Sequence, residues 1–125
     1  MEMAVRLNQR AFAHAKRLIE QGLVVQDEPD AWNHHRPTAQ RENRFFEEIG
    51  LHRYRVWFLG YDEDEDEDSQ TRYRFPVGDF ERVHRCAVFS VEARAGQYRY
   101  ADVQEAAAHL RALLDAIAAR PAEQA

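Results

Sequence analysis

Between about Leu7 and Gln21, Phe12, Ala15, Leu18 and Ile19 recur at the spacing of one helical face. Asn8 is placed to cap the start of this helix and Gly22 to stop its end. Leu23, Val24 and Val25 follow as a short extended stretch, or as chain packed over the core. Residues Gln26 to Pro37 read as a loop, because Asp27, Pro29, Asp30, Asn33 and Pro37 favour turns. Trp32 within it is expected to anchor the loop to the core. A second helix is predicted from Pro37 or Thr38 to just before Gly50, with Phe45, Phe46 and Ile49 on its apolar face.

Leu51 to Tyr61 fits two patterns about equally well. Tyr54, Trp57 and Phe58 suit a short helix ending at Gly60, whereas Val56, Phe58 and their neighbours suit a strand. As a strand, its natural hairpin partner is Thr71 to Phe75. Beyond Pro76 and Gly78, Asp79 is placed to cap a helix from Phe80 to about Ala95. Phe80, Val83, Ala87 and Val91 trace its apolar stripe, with His84 and Val88 at the border. Gly96 ends it. A last helix, capped by Asp102, presents Val103, Ala106, Ala107, Leu110, Leu113, Leu114 and Ile117. Pro121 opens a tail expected to fray. The fold class predicted is mainly α, a compact bundle of about four helices with room for a small β-hairpin around residues 62–69.

The length, 125 residues, suits one domain over residues 1–125. Met1 to Arg10 holds no apolar run, so no signal peptide is expected, and no stretch reaches the roughly 20 apolar residues of a membrane span. The net charge of -5 is unevenly placed. Asp62 to Asp68 is an unbroken acidic run of seven; without it 17 basic residues face 15 acidic ones, so the body of the protein is close to neutral. That balance gives no general case for nucleic acid or membrane partners. The run lacks the glycine and the alternating ligands of a calcium loop, and its mutual repulsion predicts an extended, solvated, mobile segment.

Cys86 is a lone cysteine, which excludes an internal disulfide and points to the cytoplasm. The histidines are His14, His34, His35, His52, His84 and His109, and no CxxC, HxxxH or HExxH pattern joins them. On the predicted helix His84 and Cys86 lie about 200° apart and do not face one another. No metal site and no cofactor are therefore expected, and Cys86 reads as a small core residue. Nucleophile elbows, phosphate-binding glycine loops and dinucleotide fingerprints are absent. The densest unusual stretch is Tyr73-Arg74-Phe75-Pro76-Val77-Gly78-Asp79-Phe80, running into Val83-His84-Arg85. Its aromatics and arginines suit stacking on a nucleic-acid strand or a peptide, or equally a tight turn that seats the following helix. The link from Gly96 to Ala101 is long for a helix-turn-helix, and the last helix is poor in basic residues.

Several segments carry a resemblance: Asn8 to Glu20, Glu42-Asn43 with Phe45, Trp57-Phe58-Leu59-Gly60, Phe75-Pro76-Val77-Gly78-Asp79-Phe80 with Val83-His84-Arg85, and Arg94-Ala95-Gly96-Gln97-Tyr98. Over about Asn8 to Leu114 the chain resembles a family of small, uncharacterised bacterial proteins. Val77 stands where that family has an aromatic residue, and the acidic run is longer. The resemblance implies a bacterial domain and assigns no functional residue.

The function expected is that of a cytoplasmic, non-enzymatic interaction or accessory protein whose partner is another protein or a second copy of itself. The first alternative is an enzyme or small-ligand-binding protein with a site built from His34, His35, Arg36, Trp57, His84 and Arg85. The second is a nucleic-acid-associated protein. No membrane partner is expected.

Overall fold

A computed structural model describes residues 4–119 of the chain. The tail from Pro121 lies outside the described residues. The first half runs β1 (Val5–Leu7), α1 (Gln9–Glu20), β2 (Val24–Val25), α2 (Trp32–His35), α3 (Ala39–Ile49) and α4 (Leu51–Arg55). The second half runs β3 (Phe58–Asp62), β4 (Tyr73–Pro76), β5 (Val83–His84), α5 (Arg85–Gln97) and α6 (Ala101–Ala118). Strands β1, β3 and β4 form an antiparallel sheet in that order, and β2 pairs with β5 in parallel.

The expected bundle of about four helices is therefore corrected: six α-helices and five strands in two sheets make a mixed α/β fold among the described residues. The largest error lies between Phe80 and His84. Asp79 does cap, but it closes a turn: its Oδ1 accepts the amides of Glu81 (3.0 Å) and Arg82 (2.8 Å). The chain then extends so that Val83 and His84 pair with Val24 and Val25, and the helix starts only at Arg85. Phe80 and Val83 are buried, as their place in the stripe implied, but by a turn and a strand. Leu51 to Tyr61 divides into helix α4 and strand β3, joined where the Trp57 amide donates to the Tyr54 carbonyl.

Local signals explain the helices that do form. Asn8 Oδ1 accepts the Ala11 amide, while its Nδ2 donates to the carbonyls of Arg55 and Phe58, tying α1 to α4 and β3. Gly22, at φ 78°, turns the chain out of α1. Thr38 caps α3 through the Arg41 amide. Helices α5 and α6 pack Val88, Val91 and Ala95 against Val103, Ala107, Leu110 and Leu114, with Ile19, Leu59 and Val77 closing the other sides. The many alanines in this core let the backbones approach closely. A second apolar cluster gathers Tyr54, Trp57, Phe58, Tyr73 and Phe80, and Phe45 of α3 stacks on Phe80 at 4.3 Å.

The acidic run is solvated along most of its length but not extended. It folds into turns between β3 and β4. Asp62 is buried, lying 3.5 Å from Arg74, and Glu65 accepts the Thr71 hydroxyl at 2.8 Å. Arg72 donates to the Glu65 carbonyl and Tyr73 to the Glu67 carbonyl. No helix among the described residues is long and apolar enough to cross a membrane.

Candidate functional site

The parallel pairing of β2 and β5 sets Val24 beside Val83 and Val25 beside His84. Carried two residues further, the same offset brings Asp27 beside Cys86. Asp27 Oδ1 accepts the Cys86 amide at 2.8 Å, and the Asp27 carbonyl accepts from Arg85 Nη1 at 3.1 Å. Its Oδ2 meets three side chains: His84 Nδ1 at 2.7 Å, His35 Nδ1 at 2.7 Å and the Cys86 thiol at 3.0 Å. His35 reaches this point because Trp32 is buried beside Cys86 and Ala87; the segment expected as an anchored loop forms the short helix α2 at this point. The far side of the His84 ring is also engaged, with Nε2 2.8 Å from Asp79 Oδ2. His84 is thus buried between two carboxylates.

Burial opposes charge on Asp27, but the hydrogen bonds from Cys86, His35 and His84 outweigh it and hold the carboxyl well below the usual range. Asp79 is lowered in the same way, its burial outweighed by His84 and by the amides of Arg82 and Glu81. For Cys86, burial and then the adjacent Asp27 push the thiol up to about 12. A thiol held protonated inside the core is a poor nucleophile at neutral pH, so cysteine catalysis does not suit this geometry.

Of the residues singled out from sequence, His84 and His35 meet here, and Arg85 lies beside them with its guanidinium 4.7 Å over the Phe89 ring. His34 is exposed and contributes no atom to the cluster. Trp57 belongs to the second apolar cluster, edge-on to His14 at 5.1 Å. Asp27, Asp79 and Cys86 were read as a turn former, a cap and a core residue. The reason given for keeping His84 and Cys86 apart fails because His84 is on a strand and Cys86 is in the first turn of the helix after it.

Arg36 goes elsewhere. It lines a cavity of about 530 Å³ bounded by α3, α4, β4, the end of α5 and the link to α6. Arg74 and Arg94 line the same cavity, together with Tyr54, Tyr73, Tyr98 and Tyr100. Arg74 is held by the Thr71 carbonyl (3.0 Å) and by Asp62, and Arg94 lies 6.0 Å over the Phe75 ring. Neither Arg36 nor Arg94 has a carboxylate at ion-pair distance among the described residues. Glu42 is the acidic side chain of the lining, and burial raises its carboxyl above the ordinary value against the opposing charge of Arg36. Burial likewise pushes the Tyr54 phenol up to about 12. Phe75 forms part of the wall with φ at 67°, a strained conformation for an aromatic residue. Gly60 opposite permits it, since a Cβ there would stand 3.0 Å from the Phe75 ring.

The Tyr73 to Phe80 stretch flagged in the sequence thus contributes Tyr73, Arg74, Phe75 and Pro76 to the cavity, and the RAGQY segment contributes Arg94 and Tyr98. No protein-family model, curated protein or solved structure matches the chain.

Proposed function

We propose that the protein binds a small anionic molecule with a planar or aromatic portion in the cavity lined by Arg36, Arg74 and Arg94. The observation that carries this reading is that three arginines line one concave, tyrosine-walled space, two of them with no carboxylate at ion-pair distance among the described residues, although Glu42 lies near enough to Arg36 to feel its charge. Guanidinium groups recognise carboxylate and phosphate through paired hydrogen bonds. Tyrosines supply ring faces for stacking and hydroxyls at their tips. The volume falls in the range of small-molecule sites, roughly 300–1,000 Å³. These are the means of recognition, and they fit an accessory role in which ligand binding is the signal. The single cysteine keeps the cytoplasm as the proposed location.

Calorimetric titration with benzoate and phenyl phosphate tests the reading. Saturable binding is expected for at least one probe, weakened 10-fold or more in Arg94→Gln and in Arg36→Gln. Failure of both probes to bind, or equal affinity in the variants, would overturn it. An accessory protein that docks a macromolecule here would instead ignore both probes.

A further inference from the structure

We infer that Asp27, His35, His84 and Cys86 form a binding site for a transition metal ion of the zinc(II) class, closed by four protein ligands. The expectation of no metal came from spacing along the chain; the fold gathers the ligands from three segments, the loop after β2, the end of α2 and the junction of β5 with α5. The carboxylate oxygen, the two Nδ1 atoms and the sulfur all lie within 4.8 Å of one another. A tetrahedral zinc ion with bonds of about 2.0–2.3 Å needs donors roughly 3.3–3.8 Å apart. Cys86 Sγ and His35 Nδ1 are 4.0 Å apart, close to that spacing. Asp27 Oδ2, at 2.7–3.0 Å from the other three, needs to withdraw by about an ångström to become the fourth ligand.

The surroundings of the ligands support the assignment independently. A histidine that ligates through one ring nitrogen commonly donates from the other to a carboxylate, which fixes its tautomer. His84 has this arrangement, with Nδ1 facing the cluster and Nε2 against Asp79. Both ring nitrogens of His84 thus face carboxylate oxygens, Asp27 Oδ2 at 2.7 Å and Asp79 Oδ2 at 2.8 Å. With a zinc ion, one thiolate, one carboxylate and two neutral imidazoles balance the charge, and the displaced protons leave to solvent. The S, N, N, O donor set suits zinc and its neighbours in the first transition row, and not calcium or magnesium, which need six or more oxygens.

The ion's role follows from where the ligands sit. His84 and Cys86 are buried, the Asp27 side chain is only 6% exposed, and no coordination position is left for water, which is the pattern of structural rather than catalytic zinc. His35 is the exception, with a side chain 41% exposed at the end of the four-residue helix α2. An ion would fasten that loop to β5 and α5. Arg36 follows His35 directly, so the same clasp would fix the approach of one arginine to the cavity.

The test uses untagged protein stripped by a chelator and titrated with cobalt(II), then zinc(II). One equivalent of cobalt is expected, with a thiolate-to-cobalt charge-transfer band that zinc abolishes. Asp79→Asn is expected to weaken zinc binding 10- to 100-fold. Cys86→Ser is expected to lose the charge-transfer band, and His34→Gln to leave it unchanged. If His84→Gln fails to fold, the half-exposed His35→Gln serves in its place, with a larger loss of zinc affinity than Asp79→Asn. Failure of the folded wild-type protein to take up one equivalent of either ion, or an unaltered band in folded Cys86→Ser, would overturn the inference.

Discussion

Asp27 Oδ2 lies 2.7 Å from His84 Nδ1 across 57 residues of chain. The contact joins the loop after β2 to the strand that precedes α5, and Asp27 serves the Cys86 amide, the Cys86 thiol and His35 at the same time. Asp27→Asn in metal-free protein should therefore cost about 3 kcal/mol, since buried donors are left poorly served. Urea unfolding with a chelator present checks this. A loss below about 1 kcal/mol would mean the cluster contributes little to the fold.

The acidic run should divide sharply by position. Asp62→Ala removes a buried partner of Arg74 and an acceptor for the Asp64 amide, and should cost about 1–2 kcal/mol. Asp68→Ala, at an exposed position, should stay within about 0.5 kcal/mol of wild type. Equal effects at both positions in thermal unfolding would contradict the folded turns seen here.

Gly78→Ala should be among the most damaging single changes outside the two sites. A Cβ at this position would collide with the Arg82 carbonyl and stand 2.6 Å from the Trp57 ring. Neither neighbour can yield without opening the turn that leads to β5. A loss of at least about 3 kcal/mol is expected, and a soluble variant with wild-type unfolding would show that the turn relaxes easily.

His14 should impose a pH dependence of its own. Burial, and then the charge of Arg17, lower its affinity for a proton, while a bond with the Val56 backbone opposes them. The folded state therefore binds this proton less readily than the unfolded chain. The stability involved is present above the unfolded value, about 6.5, and is lost as pH falls towards the folded value. His14→Phe keeps an aromatic edge against Trp57 and removes the titration. Its unfolding free energy should decline less than that of wild type between pH 7 and pH 5. Parallel declines would refute the assignment.

What could be read from the sequence was local. Asn8 and Gly22 bound α1, Thr38 and Gly50 bound α3, and the stripe from Val103 to Leu114 makes α6, because caps and helical periodicity act within a few residues. The stripe through Phe80, Val83, Ala87 and Val91 misled because burial alone does not say what buries a side chain. Val83 is covered as a strand residue and Ala87 as a helical one. Asp27 and Cys86 meet through a two-residue parallel pairing, far too short to leave a pattern in either segment. Trp57 was a candidate for the same site as His35 and His84, yet its ring packs over Gly78. His35 and Arg36 were legible as candidates, but their separation into two different sites depends on where α2 ends.

The most direct test of the binding account is to locate a bound anion by amide and side-chain NMR. Phenyl phosphate should produce saturable shifts centred on Arg36, Arg74, Arg94, Tyr98 and Tyr100, leave α6 beyond Leu110 unchanged, and produce none of them in Arg94→Gln. Shifts that fail to saturate, that map away from this cavity, or that persist in Arg94→Gln would contradict it.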